Sequence, residues 1–380
     1  MLTFRGSALA AGAVLLAAAV AACSTPIPGT ALPQPPPDAA ATGAVPSGRT
    51  PVTAPSRPGS RTPEPQVAPG IAAMPGQADK VAAYPLMRRI DPCALHDPAA
   101  AARVTGARPD ELVPGRHLNA CELVLSAGDT AVRLPTWRLT ATVGADRGQR
   151  VAPEVIAGIE FTEIPPASTA EQGRSCRMVR GFGPTTALEL LVRHEATAPA
   201  PQTPCAVARA YLAEAGKWWD APALRADKLT TPTLRIADLD PCAGLTSVAS
   251  ELGQGVRASL PHPHGCSLLA TKGEPGQPGA GKGARLTVEL GMAIDPRALL
   301  DNATPGYVAV TVAGRPGVST RRPAAAGSTC ELAVVADDTV TVRADQTRDG
   351  ARAAVQVVTV SAAECPLAVR AADGVLALIR

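Results

Sequence analysis

An internal repeat, marked by cysteines, restricts how this chain can fold. The sequence Ile-Asp-Pro-Cys at 90–93 returns as Leu-Asp-Pro-Cys at 239–242, and three further cysteines follow each of them. The gaps between cysteines are 28, 55 and 29 residues in the first copy and 24, 64 and 35 residues in the second. A constant order with altered loop lengths is typical of duplication. The repeated cysteines are Cys93, Cys121, Cys176, Cys205, Cys242, Cys266, Cys330 and Cys365. The repeat predicts two tandem domains, at 81–222 and 228–380.

Local patterns predict the same elements in both copies. Asp91 and Asp240 are predicted helix N-caps, because a carboxylate accepts backbone N–H bonds and the following proline suits the first helical position. A proline beside the fourth cysteine predicts a second helix in each copy. Between these helices apolar residues alternate with polar ones, as in 137–143 and 286–290, which is typical of strands. The third cysteine is expected to start a hairpin, which turns at 337–338 in the second copy. The predicted fold class is α+β: two tandem small domains, each an antiparallel sheet with an N-terminal and a C-terminal helix, stapled by disulfides.

The cysteines are expected to form disulfides between nearest neighbours. Their even number favours an oxidising compartment, and none of their spacings fits a zinc knuckle. Four cysteines per copy allow three pairings, and nearest-neighbour bridges would fasten each predicted helix to its sheet. The alternative is a redox protein with reactive thiolates at the helix starts, Cys93 and Cys242. The expected bridges are Cys93–Cys121, Cys176–Cys205, Cys242–Cys266 and Cys330–Cys365.

The N-terminus predicts export and a lipid anchor. Arg5 precedes a short apolar run at 8–20, and small residues precede Cys23, as in a bacterial lipobox. We expect a signal peptide at 1–22 and a lipid on Cys23, with an ordinary cleaved signal peptide as the alternative. Residues 24–80 contain 14 prolines and no apolar periodicity, so 23–80 is predicted to be a lipidated, disordered linker.

Each copy resembles a known family in its Asp-Pro-Cys start, its second cysteine on a strand, its cysteine-led hairpin and its cysteine-led last helix. This is the actinobacterial lipoprotein family that carries domain of unknown function 3558. The copies are also similar to extracellular sensor domains of some actinobacterial receptor kinases. The resemblance covers roughly 88–218 and 236–380, but Leu123 and Leu268 stand where the family usually has tryptophan. It implies an extracytoplasmic location and a small disulfide-linked fold, and no mechanism, because the family has no established activity.

Two motifs suggest ligand sites. His262 and His264 lie beside Cys266, and paired imidazoles bind metals when a carboxylate joins them. The first copy offers only His117 ahead of its second cysteine, and we expect no metal. The glycine-rich loop at 276–282 lacks the Ser or Thr that a phosphate-binding loop needs next.

We therefore expect a non-enzymatic lipoprotein on the outer face of the cytoplasmic membrane or in the cell envelope. Its predicted role is binding, sensing or interaction, with an unknown envelope protein, glycan or small ligand as partner. No catalytic residue or cofactor is expected, and a net charge of +3 over 380 residues gives no reason to expect nucleic acid. The alternatives are an envelope hydrolase or redox protein with an unidentified site, and a structural spacer.

Overall fold

The computed structural model describes residues 65–127, 135–147, 152–166, 168, 171, 173–196, 200–227, 233–253, 255–270, 285–301, 306–324, 327–343 and 353–379. The predicted signal peptide, the lipidation site Cys23 and the glycine-rich loop lie outside these residues. The described residues form an α+β structure with two sheets, and four disulfides hold its helices to them.

The first repeat forms a seven-stranded antiparallel sheet with the order β3-β4-β5-β9-β8-β7-β6. Two strands that belong to the other sheet precede it in the chain, β1 (Gln66–Ala68) and β2 (Ile71–Ala73). The strands of the first sheet are β3 (Arg108–Pro114), β4 (Ala120–Ser126), β5 (Pro135–Ala145), β6 (Glu154–Ile156), β7 (Ile159–Ile164), β8 (Ser175–Gly181) and β9 (Ala187–His194).

The second repeat forms a nine-stranded sheet with the order β1-β2-β10-β11-β12-β16-β15-β14-β13. All neighbours are antiparallel except β2 and β10, which run parallel. The remaining strands are β10 (Arg257–Ser259), β11 (Gly265–Leu269), β12 (Arg285–Ile294), β13 (Tyr307–Val312), β14 (Arg315–Ala324), β15 (Gly327–Arg343) and β16 (Ala353–Ala362).

The helices begin largely where the Asp-Pro and Pro-Cys signals predict. Asp91 caps a 3-10 helix by accepting a bond from the Cys93 N–H at 3.0 Å. Asp240 makes the equivalent bond to Cys242 at 2.9 Å, but the next helical residue is Ala243, so Asp240 closes a turn ahead of the helix. The α-helices are α1 (Ala78–Met87), α2 (Pro98–Thr105), α3 (Pro204–Asp220), α4 (Thr246–Ala249), α5 (Ala298–Asp301) and α6 (Cys365–Leu376), and 3-10 turns occupy Pro92–Leu95, Ala243–Leu245 and Ser250–Leu252. In the described part of the chain, none of these helices has the length and apolar character needed to cross a membrane.

The disulfides join nearest neighbours, as predicted. Cys93–Cys121 and Cys242–Cys266 fasten the start of the first 3-10 turn of each copy to the strands β4 and β11, respectively. Cys176–Cys205 and Cys330–Cys365 fasten the long C-terminal helix of each copy. All eight repeated cysteines are thus paired.

Two sequence-based predictions differ from the structure. The predicted linker is too long at its end, because β1, β2 and the start of α1 fall within 65–80 and β2 extends the second sheet. The expected turn at Asp337–Asp338 is instead an irregularity inside the long strand β15. Asp337 is buried there. Its carboxylate accepts a bond from Gln356 Nε2 at 3.0 Å and two bonds from Thr339, one from the backbone N–H at 3.0 Å and one from the hydroxyl at 2.7 Å. These bonds satisfy a polar group that would otherwise favour a solvent-exposed turn.

The two sheets share one apolar core but bury different kinds of side chain in it. The first buries its few aromatic side chains, including Trp137, Phe161, Tyr211 and Trp219. The second buries mainly Val, Leu and Ala beneath α6. Smaller side chains bury less apolar area each, so the disulfides are a larger share of what holds the second sheet and its helices together.

Candidate functional site

The N-terminal segment connects the two sheets. After β2, the Gln77 side chain accepts a bond from the Leu260 N–H at 2.9 Å. One turn into α1, the buried Lys80 ammonium donates to the Leu260 carbonyl at 3.2 Å. In the sequence α1 directly precedes the elements of the first repeat. These bonds therefore hold the loop before β11 against the first repeat.

Two arginines bind the turns that lie between the sheets. Arg88 is buried; its guanidinium donates to the Pro263 carbonyl at 3.1 Å and pairs with Asp240 at 2.9 Å. Arg225 donates to the Leu118 carbonyl at 2.7 Å. Leu118 and Pro263 each stand three residues before the second cysteine of their copy. The same position in each repeat therefore receives an arginine.

The two turns are built alike. His117 and His262 each stand four residues before the second cysteine, and the carbonyl of each accepts a backbone N–H bond at 3.0 Å from the residue three positions later. Two residues further along each turn, the carbonyls of Asn119 and His264 accept backbone bonds from β5 and β12, at 2.7 and 2.9 Å. The turn geometry places His117 and His262 at equivalent positions of the duplicated fold.

Each turn meets a glycine of the other repeat. The second cysteine of each copy pairs with Ala141 on β5 or with Val288 on β12. Gly144 and Gly291 each lie three residues after that partner and are therefore equivalent. A Cβ atom on Gly144 would lie 2.4 Å from the Pro263 side chain, and one on Gly291 would lie 2.5 Å from the Arg116 carbonyl oxygen. The two repeats therefore contact each other in an approximately reciprocal way, like subunits of a twofold dimer.

A cluster of two imidazoles and a carboxylate lies at this contact. The rings of His117 and His262 have centroids 4.7 Å apart. Ligand atoms of His117, His262 and Glu289 all lie within 4.8 Å of one another. His262 is 7% exposed, and neither of its ring nitrogens has a hydrogen-bond partner among the described residues. His117 and Glu289 are half-buried, so the cluster is open to solvent on one side.

Burial keeps both imidazoles neutral. Desolvation is the main cause that lowers the pKa of His262 to about 3, and the electrostatic effects of His117 and Lys80 act in the same direction. The pKa of His117 is lowered mainly by desolvation, with Glu289 raising it and Arg116 lowering it. A neutral imidazole has a free nitrogen lone pair at physiological pH, and this is the form that binds metals and accepts hydrogen bonds.

His264, which the sequence offers beside His262 as a candidate metal ligand, is not part of this cluster. His264 is fully buried, and its Nε2 makes a 2.7 Å bond with the Ala237 carbonyl. Sequence reasoning missed Glu289 and did not join His117 to His262, because only the folded contact brings the two repeats together. The spacing of four residues before the second cysteine was the available signal. Glu163, Cys176 and Cys205 form another cluster, but both of its sulfurs belong to a disulfide.

An apolar cleft lies beside the histidine pair. It has a volume of about 460 Å³, and both sheets contribute to its walls. Arg116, which precedes His117, lies at its exposed rim, and within the described residues its guanidinium makes no hydrogen bond or ion pair. The apolar walls include Val113, Val124, Met292, Ile294 and Leu299.

A polar cluster near Lys80 of α1 contains a carboxyl group with a raised pKa. Asp146, which follows β5, is half-buried, and desolvation raises its pKa to about 7. Lys80 and Arg177 counteract this shift, whereas Glu189 adds to it. This carboxyl is therefore partly protonated near neutral pH.

Comparison with protein-family models, curated proteins and solved structures finds no match. The resemblance to the lipoprotein family stays a prediction. The four disulfides suggest an oxidising, extracytoplasmic location for the folded part of the chain.

Proposed function

We propose that this chain is an envelope lipoprotein, anchored through Cys23, whose two tandem domains form a non-catalytic binding module for a small amphipathic ligand. The observation that carries the proposal is the cleft of about 460 Å³ between the two sheets. Small-molecule sites are typically concave, largely apolar, about 300–1,000 Å³ in volume, and common at domain interfaces.

The cleft is lined by two glutamates, Glu111 and Glu122, and by two arginines, and the arginine at its exposed rim favours a ligand with an anionic head group. Arg138 in the cleft wall is ion-paired with Glu122 and Glu195, so its charge is already balanced. Arg116 at the rim has no such partner in the described part of the chain and is exposed. A ligand with an apolar body and one negative charge would place the body against Ile294 and Leu299 and the charge beside Arg116. Such a ligand could be a fatty acid or a lipid fragment, both of which share this chemistry.

The cleft is tested with anilinonaphthalene sulfonate, an apolar anion whose fluorescence rises in an apolar site. We expect saturable binding at one site per chain. Ile294→Glu should weaken binding at least tenfold, because it puts a negative charge in the apolar wall. Val308→Glu is the matched control, since Val308 is 62% exposed, Ile294 is 39% exposed and Val308 does not line the cleft.

The rim is tested with Arg116→Ala, which should weaken binding of the same probe by roughly threefold to tenfold at low salt, and less at high salt because exposed charges are screened. Equal affinity of wild type, Ile294→Glu and Arg116→Ala would contradict a ligand site in this cleft.

The anchor is tested separately, because it does not depend on the cleft. Cys23→Ala should release the protein from membranes into the soluble fraction, since a lipoprotein's acyl chains supply its stable attachment. Unchanged membrane retention of the variant would contradict anchoring through Cys23.

A further inference from the structure

We propose that His117, His262 and Glu289 form a binding site for a divalent transition-metal ion, with Zn²⁺ the best-fitting ion, held between the two repeats. This site is separate from the proposed ligand cleft and does not depend on it. It differs from the sequence-based expectation of no metal, which considered His262 only together with His264.

The geometry is close to that of a bound ion. Zn²⁺ binds imidazole nitrogen at about 2.0–2.1 Å and carboxylate oxygen at about 2.0–2.2 Å, so ligand atoms in a tetrahedral site are roughly 3.3 Å apart. The three ligand atoms here lie within 4.8 Å of one another. Small side-chain rotations, moving atoms by at most about 1.5 Å, would bring them to bonding distance.

The donor chemistry favours Zn²⁺ over the hard cations. Ca²⁺ and Mg²⁺ prefer a shell of oxygen ligands, whereas two imidazoles and one carboxylate suit Zn²⁺ and its neighbours in the first transition row. Three protein ligands leave a fourth position for water or for a group from a bound molecule. The half-buried His117 and Glu289 leave the ion a path from solvent.

The orphaned nitrogens of His262 are the second, independent observation. Buried polar side-chain atoms are nearly always hydrogen-bonded, and those that are not call for an explanation such as a missing ion. Both ring nitrogens of His262 are buried without a partner in the described part of the chain. Its neighbour Gly265 leaves room for the ring, since a Cβ there would lie 2.7 Å from His262 Nε2. A metal bond to one of these nitrogens would satisfy it, and His117 and Glu289 stand where the remaining ligands are needed.

The site joins the two halves of the chain, because His117 belongs to the first repeat and His262 and Glu289 to the second. A bound ion would therefore fix the contact between the sheets as a cross-link. An ion that binds only the folded arrangement raises its stability by an amount that grows with the logarithm of the free ion concentration once this exceeds Kd.

The test is calorimetric titration of Zn²⁺ into the full chain after chelator treatment, with Co²⁺ as a spectroscopic probe. We expect one Zn²⁺ per chain, visible Co²⁺ bands typical of nitrogen and oxygen ligands, and a higher thermal midpoint with metal. Loss of a residue that only orients a metal ligand through a hydrogen bond costs roughly 10–100-fold in metal affinity, so loss of a direct ligand should cost at least about a hundredfold. His117→Gln and Glu289→Gln should each show this loss and should lose the metal-dependent rise in midpoint.

The matched control is Glu331→Gln, a half-buried carboxylate on β15 of the same sheet that pairs with Arg322 at 2.8 Å. It should bind Zn²⁺ as wild type does. Thermal midpoints measured without metal show which variants are folded, and Glu289→Gln keeps the test valid if a histidine variant is unstable. Absence of Zn²⁺ binding by the wild type, or equal binding by wild type and Glu289→Gln, would overturn the proposal.

Discussion

The side chain of Ile71 should matter to the second sheet although it lies in a stretch that reads as a proline-rich linker. Ile71 is 1% exposed and belongs to the main apolar core, and its strand β2 pairs in parallel with β10. Ile71→Ala removes the apolar contacts of this side chain with the core and leaves the backbone bonds of β2 in place.

The expected magnitude follows from the buried carbons. The substitution removes three carbon atoms from a fully buried position, at about 0.8 kcal/mol each, or roughly 2.4 kcal/mol in transfer free energy. The cavity that remains adds to this cost, and measured Ile→Ala changes in cores fall at about 2–5 kcal/mol. We therefore expect the free energy of unfolding to fall by about 3 kcal/mol.

The measurement is urea unfolding of a soluble chain that starts at residue 24, followed by circular dichroism. Val155→Ala is the control, since Val155 is 68% exposed on β6 and surface changes usually stay within about 0.5 kcal/mol. Two truncations extend the test: a chain starting at residue 65 should unfold at the same urea concentration as the longer chain, whereas one starting at 78 should unfold earlier.

An Ile71→Ala midpoint equal to that of Val155→Ala would refute the reasoning, because it would mean that β2 does not pack on the second sheet. Equal midpoints for the chains starting at 65 and 78 would refute it independently.

Three further changes test other parts of the fold. Because the raised pKa of Asp146 means that the folded state binds more protons between about pH 4 and pH 7, stability should fall as pH rises through this range. Asp146→Asn should therefore raise the thermal midpoint at pH 8 more than at pH 4, and an equal effect at both would contradict the shift. Replacing Cys242 and Cys266 with alanine opens a 24-residue loop and should cost about 3 kcal/mol in urea unfolding, whereas an unchanged midpoint would show that the bridge adds no stability. Gly291→Val should cost roughly 1–3 kcal/mol by driving the Arg116 backbone away, and a change below about 0.5 kcal/mol would argue against the close contact.

Much of each repeat could be predicted from local sequence. The cysteine order indicated the disulfide pairing, because each bridge joins elements close in the chain, separated by 24 to 35 residues. Asp-Pro and Thr-Pro steps marked helix starts because the cap needs only neighbouring backbone N–H groups. The alternation around Trp137 predicted β5 because strand faces have a fixed period of two.

The remaining features depend on residues far apart in the chain. The strand at Ile71–Ala73 is three residues long and has prolines nearby, so it carries little strand signal, and its partner β10 lies more than 180 residues later. In the sequence Asp337 is typical of a turn, and only the hydrogen bond from Gln356 on the neighbouring strand to its carboxylate explains its place inside a strand. The candidate metal site was equally hidden, because its ligands come from both repeats.

The duplication itself explains why two histidines meet at the contact between the sheets. In a twofold arrangement, a residue near the axis lies beside its own equivalent in the other copy. His117 and His262 hold equivalent positions, so a reciprocal contact brings their rings together without any further coincidence. The third group breaks the symmetry. Glu289 on β12 corresponds to Thr142 on β5, because each pairs with the residue that directly precedes the second cysteine of its copy. A symmetric pair of imidazoles alone would give two ligands, and divergence at this one position supplies the third. The contact between the copies thus provides a donor set that neither repeat has alone.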